Sequence, residues 1–290
     1  MRYRVKHLSK LRYAAPVARA RLNLRLSPRL RRGQALVEEA LALSPKPSLK
    51  EEQLGPYWGM TTQVAFDAPL KTLEVASEFV MDLAAAKLPD RGPSVSRLRA
   101  ETLEVADICD LAPAPYLFAS RITTLSPAIT RWSAPHFEDH VDAIAAARAL
   151  MAALHAEFTY APGKTDTRTA PEEAFAARHG ACQDFAHVMI MALRAHGVPA
   201  AYVSGHLRTL PPAGKEKLVG ADAMHAWVDV WCGRELGWVG FDPTNNCLVS
   251  EDHIAIALGR DYADVSPIDG TFIGTAPQSM TSAVDVELVE

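Results

Sequence analysis

A cysteine, a histidine and an aspartate stand in three short segments of this 290-residue chain, in an order that permits nucleophilic acyl chemistry. Gly180-Ala181-Cys182-Gln183-Asp184-Phe185-Ala186-His187 supplies a thiol, Met224-His225-Ala226-Trp227 an imidazole, and Gly240-Phe241-Asp242-Pro243-Thr244 a carboxylate. In such chemistry a thiolate attacks a carbonyl carbon and an imidazole shuttles the proton. A carboxylate holds the imidazole in one tautomer. The three roles come from separated stretches that the fold must bring together, and the segments themselves indicate the elements that would do so.

Residues 182–196 carry Phe185, Met189 and Leu193 on one helical face, and Gly197 supplies the stop. Cys182 is therefore predicted in the first turn of a helix, where unsatisfied backbone N–H groups present about half a positive charge. That field and a neighbouring imidazolium favour the thiolate, and the same N–H groups can hold the oxyanion of a tetrahedral intermediate. Ahead of it, Thr169-Ala170-Pro171-Glu172 resembles a capping box opening a short helix that Gly180 would end. After Pro199, strands are predicted over residues 200–207, 225–231 and 237–241, with a turn at Cys232-Gly233-Arg234. Alternation puts His225 on the same strand face as Trp227 and leaves Ala226 and Val228 opposite. Antiparallel pairing across the turn would bring Asp242 beside His225, so that the other ring nitrogen faces sulfur.

The remaining chemistry-bearing residues read as structural. His179, His187, His196 and His206 have no matching partners in the sequence, and Cys109, Cys232 and Cys247 read as passive thiols. A zinc site from Cys182, His225 and Cys232 would consume the nucleophile and lacks a paired spacing, so neither metal nor cofactor is expected. Asp229 is the alternative third member should Asp242 not be the orienting carboxylate.

The elements before the cysteine divide into two kinds. Leu22, Leu24 and Leu26 alternate with Arg21, Asn23 and Arg25, and Leu73, Val75, Phe79 and Met81 repeat the pattern. With Pro28, Gly33, Pro45, Pro47, Gly55 and Pro56 as punctuation, an antiparallel β domain is predicted over residues 1–95. A connector at residues 88–94 and an irregular proline-marked stretch at residues 111–135 lead to a helical pattern at residues 139–158. There Val141, Ile144, Met151, Leu154 and Phe158 recur at helical steps. Helices followed by strands give an α+β catalytic domain over residues 96–265, and residues 266–290 form a loop and a closing strand at residues 283–289.

Composition limits the partners. With 49% hydrophobic residues the chain can bury a sizeable core, and a net charge of -4 favours neither nucleic acid nor an anionic membrane. No apolar run approaches ~18 residues, and the basic start lacks the apolar stretch of a signal peptide, so a cytoplasmic protein with free thiols is expected. Eleven Lys or Arg residues precede the first acidic residue, Glu38. Several alternate with apolar residues, which reads as the solvated face of strands.

At these residues the chain resembles the bacterial branch of the transglutaminase-like superfamily, whose papain-like members are often described as cysteine proteases. The resemblance rests on the Cys182 segment, on Ala226-Trp227 after His225, on the run from Gly237 to Asn246, and on Gly259-Arg260-Asp261-Tyr262-Ala263-Asp264-Val265. Tyr13-Ala14-Ala15-Pro16-Val17 and Leu24-Arg25-Leu26-Ser27-Pro28 resemble that branch's β-rich N-terminal domain. The resemblance implies a triad of Cys182, His225 and Asp242 acting through a thioester on a peptide or small amide. Amide hydrolysis is the first expectation, transfer of the acyl group to an amine the second, and a silent binding module the third. Gln183 follows the nucleophile where animal transglutaminases carry Trp, so their crosslinking activity is not implied.

Overall fold

The computed structural model describes residues 1–85, 89–105, 109–137, 141–209 and 222–289. The alternating, basic first segment forms β1 (Arg2–Val17), β2 (Arg19–Leu24), β3 (Gln34–Ser44), β4 (Leu49–Leu54), β5 (Met60–Phe66) and β6 (Leu70–Leu83). The middle carries α1 (Val95–Glu104), α2 (Pro127–Ser133), α3 (Ala143–Glu157), β7 (Thr159–Tyr160), α4 (Pro171–Ala177), β8 (His179–Gly180) and α5 (Cys182–Ala195). Next come β9 (Ala200–Leu207), β10 (Met224–Trp231), β11 (Trp238–Asp242), β12 (Cys247–Leu248) and β13 (His253–Gly259). Finally α6 (Tyr262–Val265), β14 (Ile268–Ile273) and β15 (Gln278–Leu288) complete the order. The fold is α+β. No helix among the described residues is long and apolar enough to cross a membrane.

Among the described residues, two antiparallel sheets take the strand orders β15-β1-β6-β3 and β14-β2-β5-β4. A third, with order β12-β11-β10-β9-β13, underlies α5. The period of two explains how they stack. Odd-numbered residues of β1 share one buried face, and its two halves meet different partners. Leu11 and Tyr13, with Leu73 and Val75 of β6, pack on Leu22, Leu24 and Val64 of the second sheet. Tyr3 and Val5, with Phe79 and Met81, pack instead on Ile254 and Ile256 of β13. One long ribbon therefore covers a β partner at one end and the helix-bearing sheet at the other. Each such aliphatic or aromatic side chain, fully buried, contributes about 2 kcal/mol.

The basic residues of this segment are largely neutralised across strands. Arg2 pairs with Asp82, Arg4 with Glu78, Lys10 with Glu74, Arg21 with Asp67 and Arg25 with Asp269. Arg31 reaches out of the segment to Asp229 of β10, a residue only 1% exposed. Gln34 does the same with its amide, donating to Ala255 O (2.7 Å) and accepting from Ala255 N–H (3.0 Å).

Several predicted boundaries move. Ala170, not Thr169, is the N-cap of α4, and Thr169 Oγ1 accepts instead from Asp166 N–H (3.0 Å). That helix stops at Arg178 in the left-handed region (φ 54°), before Gly180 is reached. The predicted helix at residues 139–158 starts at Ala143, because Asp142 caps the N–H groups of Ile144 and Ala145 at 2.9 and 3.0 Å. Asp139 and Leu88 lie outside the described residues. Helix α2 occupies part of the stretch read as irregular, and β14 part of the stretch read as loop. Strand β14 fits against β2 only because residue 270 is glycine: a Cβ there would lie 2.1 Å from Arg21 O.

Candidate active site

Helix α5 is buried over most of its length, from Asp184 to Arg194, and presents its first turn where Cys182 is half-buried. Its N-terminus is tied from inside. Asp184 Oδ2 accepts from Ala181 N–H (2.8 Å) and from Thr165 Oγ1 (2.7 Å). Gly180 makes room for this, since a Cβ at that position would lie 2.5 Å from Asp184 Oδ2. Burial pushes the Asp184 carboxyl up, against the hydrogen bonds from Thr165 and Ala181. The N–H groups of Asp184 and Phe185 are satisfied by Ala181 O, at 3.0 and 3.3 Å. Those of Cys182 and Gln183 carry no hydrogen bond among the described residues, as expected for a first helical turn.

The sheet brings the other two groups to this point. Strand β10 pairs with β11 through Val228↔Phe241 and Asp229↔Gly240, which sets Asp242 diagonal to His225 across the ladder. His225 Nε2 lies 2.8 Å from Asp242 Oδ2, and the ring is near enough to Cys182 for the charge of the sulfur to act on it. With Nε2 committed to the carboxylate, Nδ1 is the nitrogen left for sulfur. Trp227 lies beside His225 with ring centroids 6.2 Å apart, as strand alternation predicts. It can lie across β9 only over Gly205, where a Cβ would approach the Trp227 ring to 2.5 Å and Ile254 O to 2.2 Å.

The charges of this group reinforce one another. Burial opposes charge on His225, but the hydrogen bond to Asp242 and the nearby charges of Asp242 and Cys182 raise its pKa to about 10. Burial likewise opposes charge on Asp242, yet donors from His225, His253 and Asn245 hold its carboxyl well below the usual carboxylate range.

Three neighbours escape the sequence reading. Asn245 Nδ2 donates to Asp242 Oδ2 (2.7 Å), and His253 Nε2 reaches the same oxygen at 3.2 Å. The backbone N–H groups of Thr244 and Asn245 close an Asx turn on Oδ1 at 3.0 and 3.2 Å. Tyr160, half-exposed on β7 and in register with Gly180, has its hydroxyl pushed up by burial and by the charges of Cys182 and Asp242. The Asp-Pro-Thr-Asn-Asn turn signal marks Asn245, whereas nothing local in sequence singles out His253 or Tyr160.

By residue type, His225, Asp242 and His253 could hold a metal ion. The Asn245 amide, a donor that repels cations, already sits on Oδ2, so the trio reads as a network of hydrogen bonds. Cys232 is elsewhere, buried with its thiol near Val230 O (3.5 Å) and pushed up to about 12 by burial and the charges of Asp142 and Asp229. Burial and Asp242 push Cys247 up to about 11. The four histidines read as structural are held apart from the site. His187 Nε2 accepts from Tyr262 N–H (3.2 Å), and burial lowers its pKa to about 4. His196 stacks on Phe137 at 4.4 Å, and His179 Nδ1 lies 3.1 Å from Ala177 O. His206 is fully enclosed beside His7, with burial pushing it down to about 3.

A helix opening on a cysteine, seated on an antiparallel sheet whose adjacent strands bear a histidine and an aspartate, defines a transglutaminase-like core. Residues 131–243 match the Transglutaminase-like superfamily, and residues 3–82 match the Bacterial transglutaminase-like N-terminal region. The chain belongs to the transglutaminase-like superfamily. An uncharacterised protein of Mycobacterium tuberculosis is 34% identical over 297 residues, covering 99% of this chain and 92% of that protein. The protein-glutamine gamma-glutamyltransferase of Pseudomonas aeruginosa is 35% identical over 140 residues, which cover 46% of this chain and 20% of that protein. A solved structure from Cytophaga hutchinsonii, described as a candidate cysteine protease, shares the fold. Its TM-score is 0.76 at 21% identity, over 100% of this chain and 91% of that chain.

Proposed function

We propose that the protein is a cysteine-dependent hydrolase of amide or peptide bonds, with Cys182 as nucleophile, His225 as acid and base, and Asp242 as the orienting carboxylate. The observation that carries this reading is the His225–Asp242 hydrogen bond, buried beside Cys182 at the open end of α5. With its pKa raised to about 10, His225 is an imidazolium at neutral pH, which supports a thiolate partner. The thiolate adds to the amide carbonyl, and the oxyanion takes up the free N–H groups at the start of α5. His225 then gives its Nδ1 proton to the departing amine as the C–N bond breaks, leaving a thioester on Cys182 and a neutral imidazole. Neutral His225 takes a proton from water, hydroxide adds to the thioester, and the acid leaves as the sulfur departs as thiolate. Throughout, Asp242 holds Nε2 and balances the imidazolium.

Transfer of the acyl group to an amine is the second reading, favoured by the local similarity to the Pseudomonas aeruginosa gamma-glutamyltransferase. Both readings pass through the same thioester, so the deciding experiment traps it. Wild-type protein and Cys182→Ala are incubated with a cell extract, quenched in acid and analysed by mass spectrometry, with and without a polyamine. An acyl adduct confined to Cys182 supports the shared mechanism. Free acid released whether or not the polyamine is present supports hydrolysis, and amide formed with the polyamine supports transfer. No adduct, with Cys182 no more reactive than the other thiols, refutes both.

A further inference from the structure

Asp242 is held by more donors than orienting one imidazole requires, and one of them is a second histidine. His253, the first residue of β13, has a side chain only 3% exposed, so the network and not solvent must satisfy it. Its Nδ1 accepts from Ser250 N–H (3.3 Å), which leaves the proton on Nε2, 3.2 Å from Asp242 Oδ2. The ring is fixed edge-on by Trp227, with centroids 5.3 Å apart at 81°, and lies 6.3 Å from the His225 ring. The neighbouring charge, Asp252, is turned away to Tyr3 (2.8 Å) and Arg208 (3.3 Å). Among the described residues, the titratable groups of the site that His253 faces are Asp242 and His225.

We propose that His253 is a positioning residue: its Nε2–H pins Oδ2 of Asp242, keeping the carboxylate ionised and aimed at His225. This deepens, and rests on, the reading of Cys182, His225 and Asp242 as nucleophile, base and orienter. A carboxylate that loses a donor is easier to protonate, and one that can rotate supports an imidazolium less well. Both effects make the thiolate–imidazolium pair fail at a higher pH. The pin is itself set by the N-terminal β region. Ile254 and Ile256 are buried against β1 and β6, and the Gln34 amide clamps Ala255, two residues beyond His253.

The test follows iodoacetamide labelling of Cys182 against pH in wild type, His253→Leu and His253→Gln, with thermal melting of each in parallel. Leucine removes the donor, whereas glutamine returns an amide N–H. His253→Leu is expected to move the acid limb of labelling up by about one pH unit, and His253→Gln to stay close to wild type. A folded His253→Leu with an unchanged profile overturns the proposal. So does an equal shift in both variants that tracks only their loss of melting temperature, since that marks a purely structural role. If His253→Leu fails to fold, the imidazole nitrogen NMR spectrum of the wild type decides. In the neutral ring the proton is expected on Nε2, and a neutral His253 protonated on Nδ1 overturns the proposal. Failure of Cys182 to label preferentially in the wild type refutes the triad reading instead, so the two failures are distinguishable.

Discussion

Replacing Asp242 by asparagine changes one atom and one charge at a point where three donors converge. His225 Nε2, Asn245 Nδ2 and His253 Nε2 all address Oδ2, at 2.8, 2.7 and 3.2 Å, while Oδ1 holds the backbone N–H groups of Thr244 and Asn245. If the asparagine oxygen keeps the Asx turn, its NH2 faces three N–H groups. If it turns round, the backbone loses its acceptor. Hydrogen bonds to a charged group contribute roughly 1.5–3 kcal/mol each, and breaking a buried pair costs about 3–5 kcal/mol, so a loss near 3 kcal/mol is expected at neutral pH. Over 290 residues that corresponds to a fall of about 5 °C in the melting midpoint. The pH dependence gives a sharper test. Asp242 has a depressed pKa, so its contribution is present above the unfolded value near 3.9 and is lost as pH falls through the folded value. His225 has a raised pKa, so its contribution is complete below about 6.5 and is lost as pH rises through about 10. The gap between wild type and Asp242→Asn should therefore be widest near pH 6 and narrow toward both extremes. Thermal melts from pH 3 to 10 measure it, with labelling of Cys182 as the companion readout. A gap below 1 kcal/mol that ignores pH would refute the account of the buried carboxylate.

Three further outcomes are expected. At pH 7, iodoacetamide should label Cys182 at least about tenfold faster than Cys232 and Cys247, whose thiols burial pushes up; equal rates by peptide mass mapping would sink the argument. Arg31→Ala should lower stability by about 3 kcal/mol, since it strands Asp229 inside the protein, and adding Asp229→Asn should recover part of the loss. Denaturant titration of the two variants measures both numbers. Removal of residues 1–95 should expose Ile254, Ile256, Val284 and Val286 and deprive β15 of its partner, giving an aggregating or low-melting fragment. A monomeric fragment with wild-type melting would contradict this.

The site was legible where chemistry and local order coincide. Cys182 stands at a helix start marked by Gly180 and a clear apolar face, and strand alternation correctly paired His225 with Trp227. Asp242 and His225 converge through a hairpin whose two strands are consecutive in sequence, so their pairing needed no long-range knowledge. His253 was illegible because it arrives on β13, which joins the sheet beside β9, and only the assembled strand order turns it toward Asp242. The role of Asp184 was hidden differently, since the motif's spacing gives no sign that its carboxylate turns back under Gly180. In the fold, long two-sided strands announced themselves, whereas α2 buries little beyond Ile129 and Ser133 and leaves no stripe to read. Strand β14 is an edge strand without a fully buried residue, so its alternation was faint.

The pairing of β15 with β1 runs from Tyr3↔Leu288 to Tyr13↔Gln278, joining strands far apart in sequence. Strand β14 joins β2 in the same way. As the polypeptide leaves the ribosome, β1 and β2 must wait with one hydrogen-bonding edge open while more than two hundred and forty residues are added. A ribosome that stalls before β14 would release a nearly complete site, with Cys182, His225 and Asp242 all present, on a scaffold whose two β sheets are each one strand short. Such a product would have adhesive edges and a poorly supported β13, so truncated translation products should be cleared by proteolysis or aggregation before an unguarded thiol can act.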